Sequence, residues 1–417
     1  MAVFKRAGGV ARVASLVAAG AVVLSCCSSS GQGGKSPESS GTSTSATAEP
    51  TTAEPTTAAP TTTSTTAAPP TTSTTIPSST TIPPGWTESD LLSQLIMVGG
   101  EYADPQASTQ MAAEGVGGFV FFGEPAAGTG ATLSSEMNQL AAADKILPFM
   151  STDEEGGQIA RLANLVGQLP WAREMAEEWS PAEVTAQLTT VARQMKALGM
   201  NMDLAPVLDT SSSTNTIDEE NVRSFSEDGD VAGEYGLAYW HGLQAGGIIG
   251  VVKHFPGLGH ANGDTDTGPA TDPPLSELET DDLIPFEQTI AQGIPVVMMS
   301  NVTEPDWGST PASMNPEAYQ FLRHLGFKGV VLTDSLDAGA ISAVGVDGAQ
   351  AVVNAIEAGA DMAMITTPTD FPGALSGLEA AMAEGRLPLS QVIASVDRII
   401  TLKNSILPAS ERITPPS

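Results

Sequence analysis

The residues most able to do chemistry fall in five short stretches: Asp153-Glu154-Glu155-Gly156-Gly157, Arg223 in Arg-Ser-Phe-Ser, Lys253-His254-Phe255-Pro256-Gly257, Asn301, and Thr333-Asp334-Ser335. Paired carboxylates suit attack on a sugar acetal, one acid serving as nucleophile while a second assists the departing oxygen. Lys and Arg beside them suit hydroxyl and carbonyl oxygens, and their charge favours an ionised nucleophile. Other chemistries fit poorly. Gly156-Gly157 lacks the Lys-Ser/Thr partner of a phosphate loop, and no GxGxxG opens a helix after a strand. Four histidines and two adjacent cysteines show no zinc-ligand spacing, so no zinc site is expected. The chain holds 48 Asp and Glu against 17 Lys and Arg, a net charge of −31, which would repel a nucleic acid.

The stretches follow short apolar runs, several of them β-branched, with Arg223 in the long loop after its run. Strands are read at 117–122, 147–151, 200–205, 249–253, 295–300, 329–333 and 361–365. Helical spacing appears between them at 134–143, 181–198, 231–245, 283–292, 316–325 and 350–358. Alternating βα units imply a parallel sheet, and the economical solution is an α/β fold of the (β/α)8 TIM-barrel type. A doubly wound open sheet is the second choice, because only seven strands are legible. In either fold the carboxyl ends of the strands share one face, where the polar stretches would meet. His241 and His324 lie within helical patterns and read as structural.

The chain before this body has a different physics. Residues 1–27 carry Lys5, Arg6 and Arg12 ahead of an apolar stretch too short to span a bilayer, as in an export signal. Val23-Leu24-Ser25-Cys26 resembles a bacterial lipobox, which implies a lipid on Cys26 and a membrane anchor on the outer side of the cytoplasmic membrane. Residues 28–85 are Thr, Pro, Ser and Ala in near-repeats that cannot bury enough apolar area to order themselves, so a disordered tether is expected. Residues 86–417 form the single folded domain, expected to be a monomer without disulfides.

Taken together, the motifs resemble glycoside hydrolase family 3, in its single-domain β-N-acetylhexosaminidase branch. Asp153-Glu154-Glu155-Gly156-Gly157 with Arg161 is similar to that family's D-Q-E-G-G-x-V-x-R, and Ala205-Pro206-Val207-Leu208-Asp209, Arg223-Ser224-Phe225, Lys253-His254-Phe255-Pro256-Gly257 and Thr333-Asp334 follow in order. The resemblance implies Asp334 as the nucleophile of a covalent glycosyl-enzyme. It implies Asp153, Arg161, Arg223, Lys253 and His254 as contacts to a terminal β-linked N-acetylglucosamine, from a glycan or muropeptide substrate. The family's acid/base is a histidine in D-S/T-H, and Asp264-Thr265-Asp266 aligns there with Asp266 at the histidine position. The family's Gly-His-Gly is likewise Gly257-Leu258-Gly259, and another of its histidines is Asn301. Two outcomes follow from Asp266. It serves as a carboxylic acid lifted by Asp264, or the domain is a cell-wall glycan-binding lipoprotein without efficient turnover. His260, four residues before Asp264, has no counterpart in the motif.

Overall fold

A computed structural model describes residues 81–211 and 222–417. The signal segment with Cys26, and the expected tether up to residue 80, lie outside the described residues.

The apolar runs form strands because they are buried on both faces, where β-branched and apolar side chains pack without solvent. In chain order these are β1 (Ile96–Glu101), β2 (Gly118–Phe122), β3 (Phe149–Thr152), a small hairpin of β4 (Glu154–Gly156) and β5 (Ile159–Ala160), then β6 (Met202–Asp203), β7 (Ile249–Phe255), β8 (Val296–Met299), β9 (Val330–Ser335) and β10 (Met362–Ile365). All but the hairpin pair in parallel, and β10 closes on β1 through Ile96 opposite Ala363. The result is an eight-stranded closed barrel with helices outside, not an open doubly wound sheet.

The strand missing from the sequence reading is β1, the first. Leu91-Leu92-Ser93-Gln94-Leu95-Ile96-Met97-Val98 is one apolar run, yet it divides into a short helix, Glu88–Ser93, and the strand. No Gly or Pro marks the break. The helix start is marked instead by a capping box, with Thr87 Oγ1 accepting from Asp90 N at 3.0 Å and Asp90 Oδ2 accepting from Thr87 N. The strand expected at 200–205 pairs only over Met202–Asp203, and the helices Ala172–Glu178, Phe371–Ala383 and Leu389–Ile406 were not anticipated.

Two long helices back the site. Pro181–Ala197 starts at Ser180 with a capping box to Glu183, and Gly229–Gly246 starts at Asp228, whose carboxylate accepts from Asp230 N and Val231 N. Their backbones approach closely: a Cβ on Gly246 would lie 2.2 Å from Ala192 Cβ. At the opposite end of the barrel, buried Asp361 precedes β10 and gathers four partners. It takes Arg323 at 2.7 Å, Arg398 at 2.7 Å, Ser395 Oγ at 2.8 Å and Val331 N at 2.9 Å. This carboxylate ties two outer helices to the start of β9.

Candidate active site

A cavity of about 450 Å³ opens at the carboxyl ends of the strands. Asp153, Arg161, Arg223, Lys253, His254, Asp264, Asp266 and Asp334 all line it, so every site residue expected within the barrel reaches one place. They arrive from different elements. Asp153 lies between β3 and β4, Lys253 and His254 end β7, and Asp334 lies near the end of β9.

The β4–β5 hairpin explains Arg161. It turns the chain back so that Arg161 N donates to Asp153 O at 3.2 Å, placing the two residues side by side. The turn needs glycine at Gly157, where φ is +57° and a Cβ would fall 1.9 Å from the Trp171 ring. Arg161 lies over the Phe122 ring, 6.0 Å from its centroid.

Charge on this wall is arranged as a closed network. Lys253 Nζ meets Asp153 Oδ1 at 2.9 Å and Glu155 Oε1 at 2.6 Å. Arg223 grips Glu155 with both Nε, at 2.8 Å, and Nη2, at 3.0 Å. Burial alone would disfavour each charge. For Glu155 the two cations outweigh it and hold the carboxyl well below the usual range. For Lys253, Asp153 and Glu155 outweigh it and hold the ammonium above the usual range. Glu155, inside the Asp-Glu-Glu-Gly-Gly stretch, is the anion that both cations share.

His254 is fixed from behind. Asp209 Oδ2 lies 2.6 Å from His254 Nδ1, and Asp209 Oδ1 accepts from the main-chain N–H of His254 at 3.0 Å and of Leu258 at 2.8 Å. A fully buried carboxylate therefore orients the ring. Asp209 was visible as the end of Ala-Pro-Val-Leu-Asp, but its partner lies 45 residues on and spacing alone could not pair them.

Asp334 accepts from Ser335 N at 2.7 Å, and Ser335 O accepts from Asn301 Nδ2 at 2.7 Å. Asn301 is in turn held by Ser313 Oγ at 2.6 Å. This chain of bonds sets the backbone at Asp334 from the neighbouring strand end. Cations and burial act on the Asp334 carboxyl in opposite directions. Burial is the larger effect and, with Asp266 adding to it, leaves the carboxyl raised, although His254 and Lys253 pull it down.

Asp266 faces the same cavity. Asp264 Oδ1 accepts from Asp266 N at 2.8 Å, a short turn that fixes the two residues together. Burial first, then the charge of Asp264, lifts the Asp266 carboxyl, against the pull of Arg223 and Lys253. His260 lies elsewhere, against Asp282 at 2.9 Å, and does not line the cavity. Asp337, also on the wall, was missed by the sequence reading; it accepts from Ser335 Oγ at 2.6 Å and Thr366 Oγ1 at 2.8 Å. Among the described residues no three His, Cys, Asp or Glu side chains converge as a metal-holding group.

Known proteins carry the same arrangement of sequence and fold. The family model described as the glycosyl hydrolase family 3 N terminal domain matches residues 88–402. The chain belongs to glycosyl hydrolase family 3. Among relatives in that family, the β-hexosaminidase LpqI of Mycobacterium tuberculosis is 35% identical over 334 residues, covering 77% of this chain and 84% of the relative. A crystal structure of a family 3 member from Mycobacterium smegmatis aligns with a TM-score of 0.70 at 35% identity, covering 79% of this chain and 98% of that one. The β-N-acetylhexosaminidase of Beutenbergia cavernae aligns with a TM-score of 0.70 at 27% identity, covering 76% and 98%. Family 3 membership thus agrees with the barrel and with the order of motifs along it.

Proposed function

We propose that this family 3 glycoside hydrolase removes terminal β-linked N-acetylglucosamine with retention, through a covalent glycosyl-Asp334 intermediate. The observation that carries the reading is the convergence of seven polar residues, from distant parts of the chain, on one cavity with Asp334. Relatives named β-hexosaminidases at this level of identity support the sugar. Asp153, Arg161, Arg223, Lys253 and His254 take the hydroxyls of the sugar, with Glu155 and Asp209 holding three of them in place. Asp266 protonates the leaving oxygen, its carboxyl lifted by burial and by Asp264.

The protein is exported, in keeping with the apolar start of the chain and with a relative described as a secreted glycosyl hydrolase. Lipidation at Cys26 gives the membrane anchor, and fragments of the cell wall are the natural substrates. The protein acts as a monomer and needs no cofactor.

Hydrolysis of 4-nitrophenyl N-acetyl-β-glucosaminide by the full-length protein tests this. Release of nitrophenol is expected, and Asp334→Ala should reduce it by at least on the order of 10³-fold. N-acetylglucosamine binding with no release, even from the most activated aryl glycosides, would instead favour the glycan-binding lipoprotein.

A further inference from the structure

The loop bearing Asp264 and Asp266 is seated on the segment that follows Asp334, and main-chain bonds do the seating. Gly339 N donates to Asp266 O at 2.9 Å, and Ala340 N donates to Thr265 O at 2.9 Å. Both amides open the helix Gly339–Ala343, where the first N–H groups have no partner within the helix. Ala338, at the cap position, has no side chain able to take them. The carbonyls of the loop replace the missing cap.

Contact at this seat is too close for a side chain. A Cβ on Gly339 would stand 2.5 Å from Thr267 C, 2.7 Å from Asp266 O and 2.7 Å from Gly268 N. All three are backbone atoms, so no rotamer change relieves the clash. Gly339 does not occupy the left-handed region, so its own conformation does not demand glycine. The approach of the loop does.

We propose that Gly339 is a positioning residue for the acid step: the docking point that fixes Asp266 relative to the nucleophile, five residues upstream at Asp334. The proposal rests on the reading of Asp266 as the acid. Any side chain at residue 339 lifts the loop and withdraws the proton donor while leaving nucleophile and sugar contacts in place.

The test compares the native protein, Gly339→Ala and Gly268→Ala on aryl N-acetyl-β-glucosaminides of differing leaving groups. A Cβ on Gly268 meets nothing within 4 Å, so that variant adds the same methyl on the loop's own side of the seat without a clash. Gly339→Ala should lose on the order of 10²-fold in kcat/KM for a poor leaving group such as 4-methoxyphenol. With 2,4-dinitrophenol, which departs without protonation, the loss should stay within about 3-fold. Turnover of that substrate also shows that the variant is folded. Gly268→Ala should match the native protein on both. As an independent readout, hydrogen exchange at the Ala340 amide should be slow in the native protein and at least about tenfold faster in Gly339→Ala. Equal losses on both substrates, or an Ala340 amide already unprotected in the native protein, would overturn the proposal. A native protein inert to every aryl glycoside, yet with a protected Ala340 amide, would overturn the hydrolase reading and with it the catalytic role of the seat.

Discussion

At Asp334 and Asp266, two carboxyls in one cavity are both lifted, first by burial and then Asp334 by Asp266 and Asp266 by Asp264, yet retaining hydrolysis needs one ionised and one protonated. Activity must rise as Asp334 loses its proton, at a pH above the ordinary aspartate value because that carboxyl is raised. It must fall again as the acid loses its proton. The ordinary values of aspartate and histidine, about 3.9 and 6.5, differ, so the identity of the acid sets where that limb lies. Asp266→His should therefore move the alkaline limb of kcat/KM upward while leaving the acid limb in place. A profile whose alkaline limb is unchanged in that variant would remove Asp266 from the acid step. Other site residues act through their neighbours: without Glu155, Lys253 and Arg223 would share a wall with no buried anion between them.

Among the elements, the barrel strands place the chemistry and the loops after them refine it. Asp361 holds the opposite end by accepting from two arginines, a serine and the backbone of β9 at once. Asp361→Ala should cost about 3–5 kcal/mol in denaturant unfolding, since it strands two guanidinium groups and a main-chain N–H, without changing KM. A loss below about 1 kcal/mol would show that the network is dispensable. Seven strands were legible because β-branched runs such as Val330–Leu332 end in a change to polar residues. β1 was not, because the Leu-rich helix before it runs into it with no Gly or Pro between. The hairpin carrying Arg161 was equally hidden, since Glu154–Ala160 contains no alternating apolar pattern and its fold depends on glycines meeting Trp171 and Pro170. The site was legible as a set of residues at strand ends. What the sequence could not show was which residues pair, because Asp209 with His254 and Glu155 with Arg223 join distant parts of the chain.

For the whole molecule, buried acids govern how stability depends on pH. Glu154, which opens the hairpin, and Asp203, which accepts from its main-chain N–H, are both fully buried, and each is raised to about 8, chiefly by burial. In the unfolded chain both would ionise near pH 4, so between there and pH 8 the folded state holds the extra protons. Their contribution is complete at low pH and is lost as pH rises through that window. The net charge of −31 works in the same direction as the surface carboxyls ionise. Glu155 opposes this, because its lowered value removes stability only in strong acid. Thermal stability should accordingly fall from pH 5 to pH 8, and Glu154→Gln should make that fall shallower and raise the Tm at pH 8. An unaltered slope would show that Glu154 does not carry the proton.

All of these scales meet in the claim that Asp334 attacks the sugar. Trapping with a fluorinated N-acetylglucosaminyl fluoride, which forms the glycosyl-enzyme faster than water removes it, reads that claim directly by peptide mass spectrometry. One sugar mass on the peptide containing Asp334, absent from Asp334→Ala, is the expected result. A sugar adduct on any other residue, or none while the substrate turns over, would contradict it.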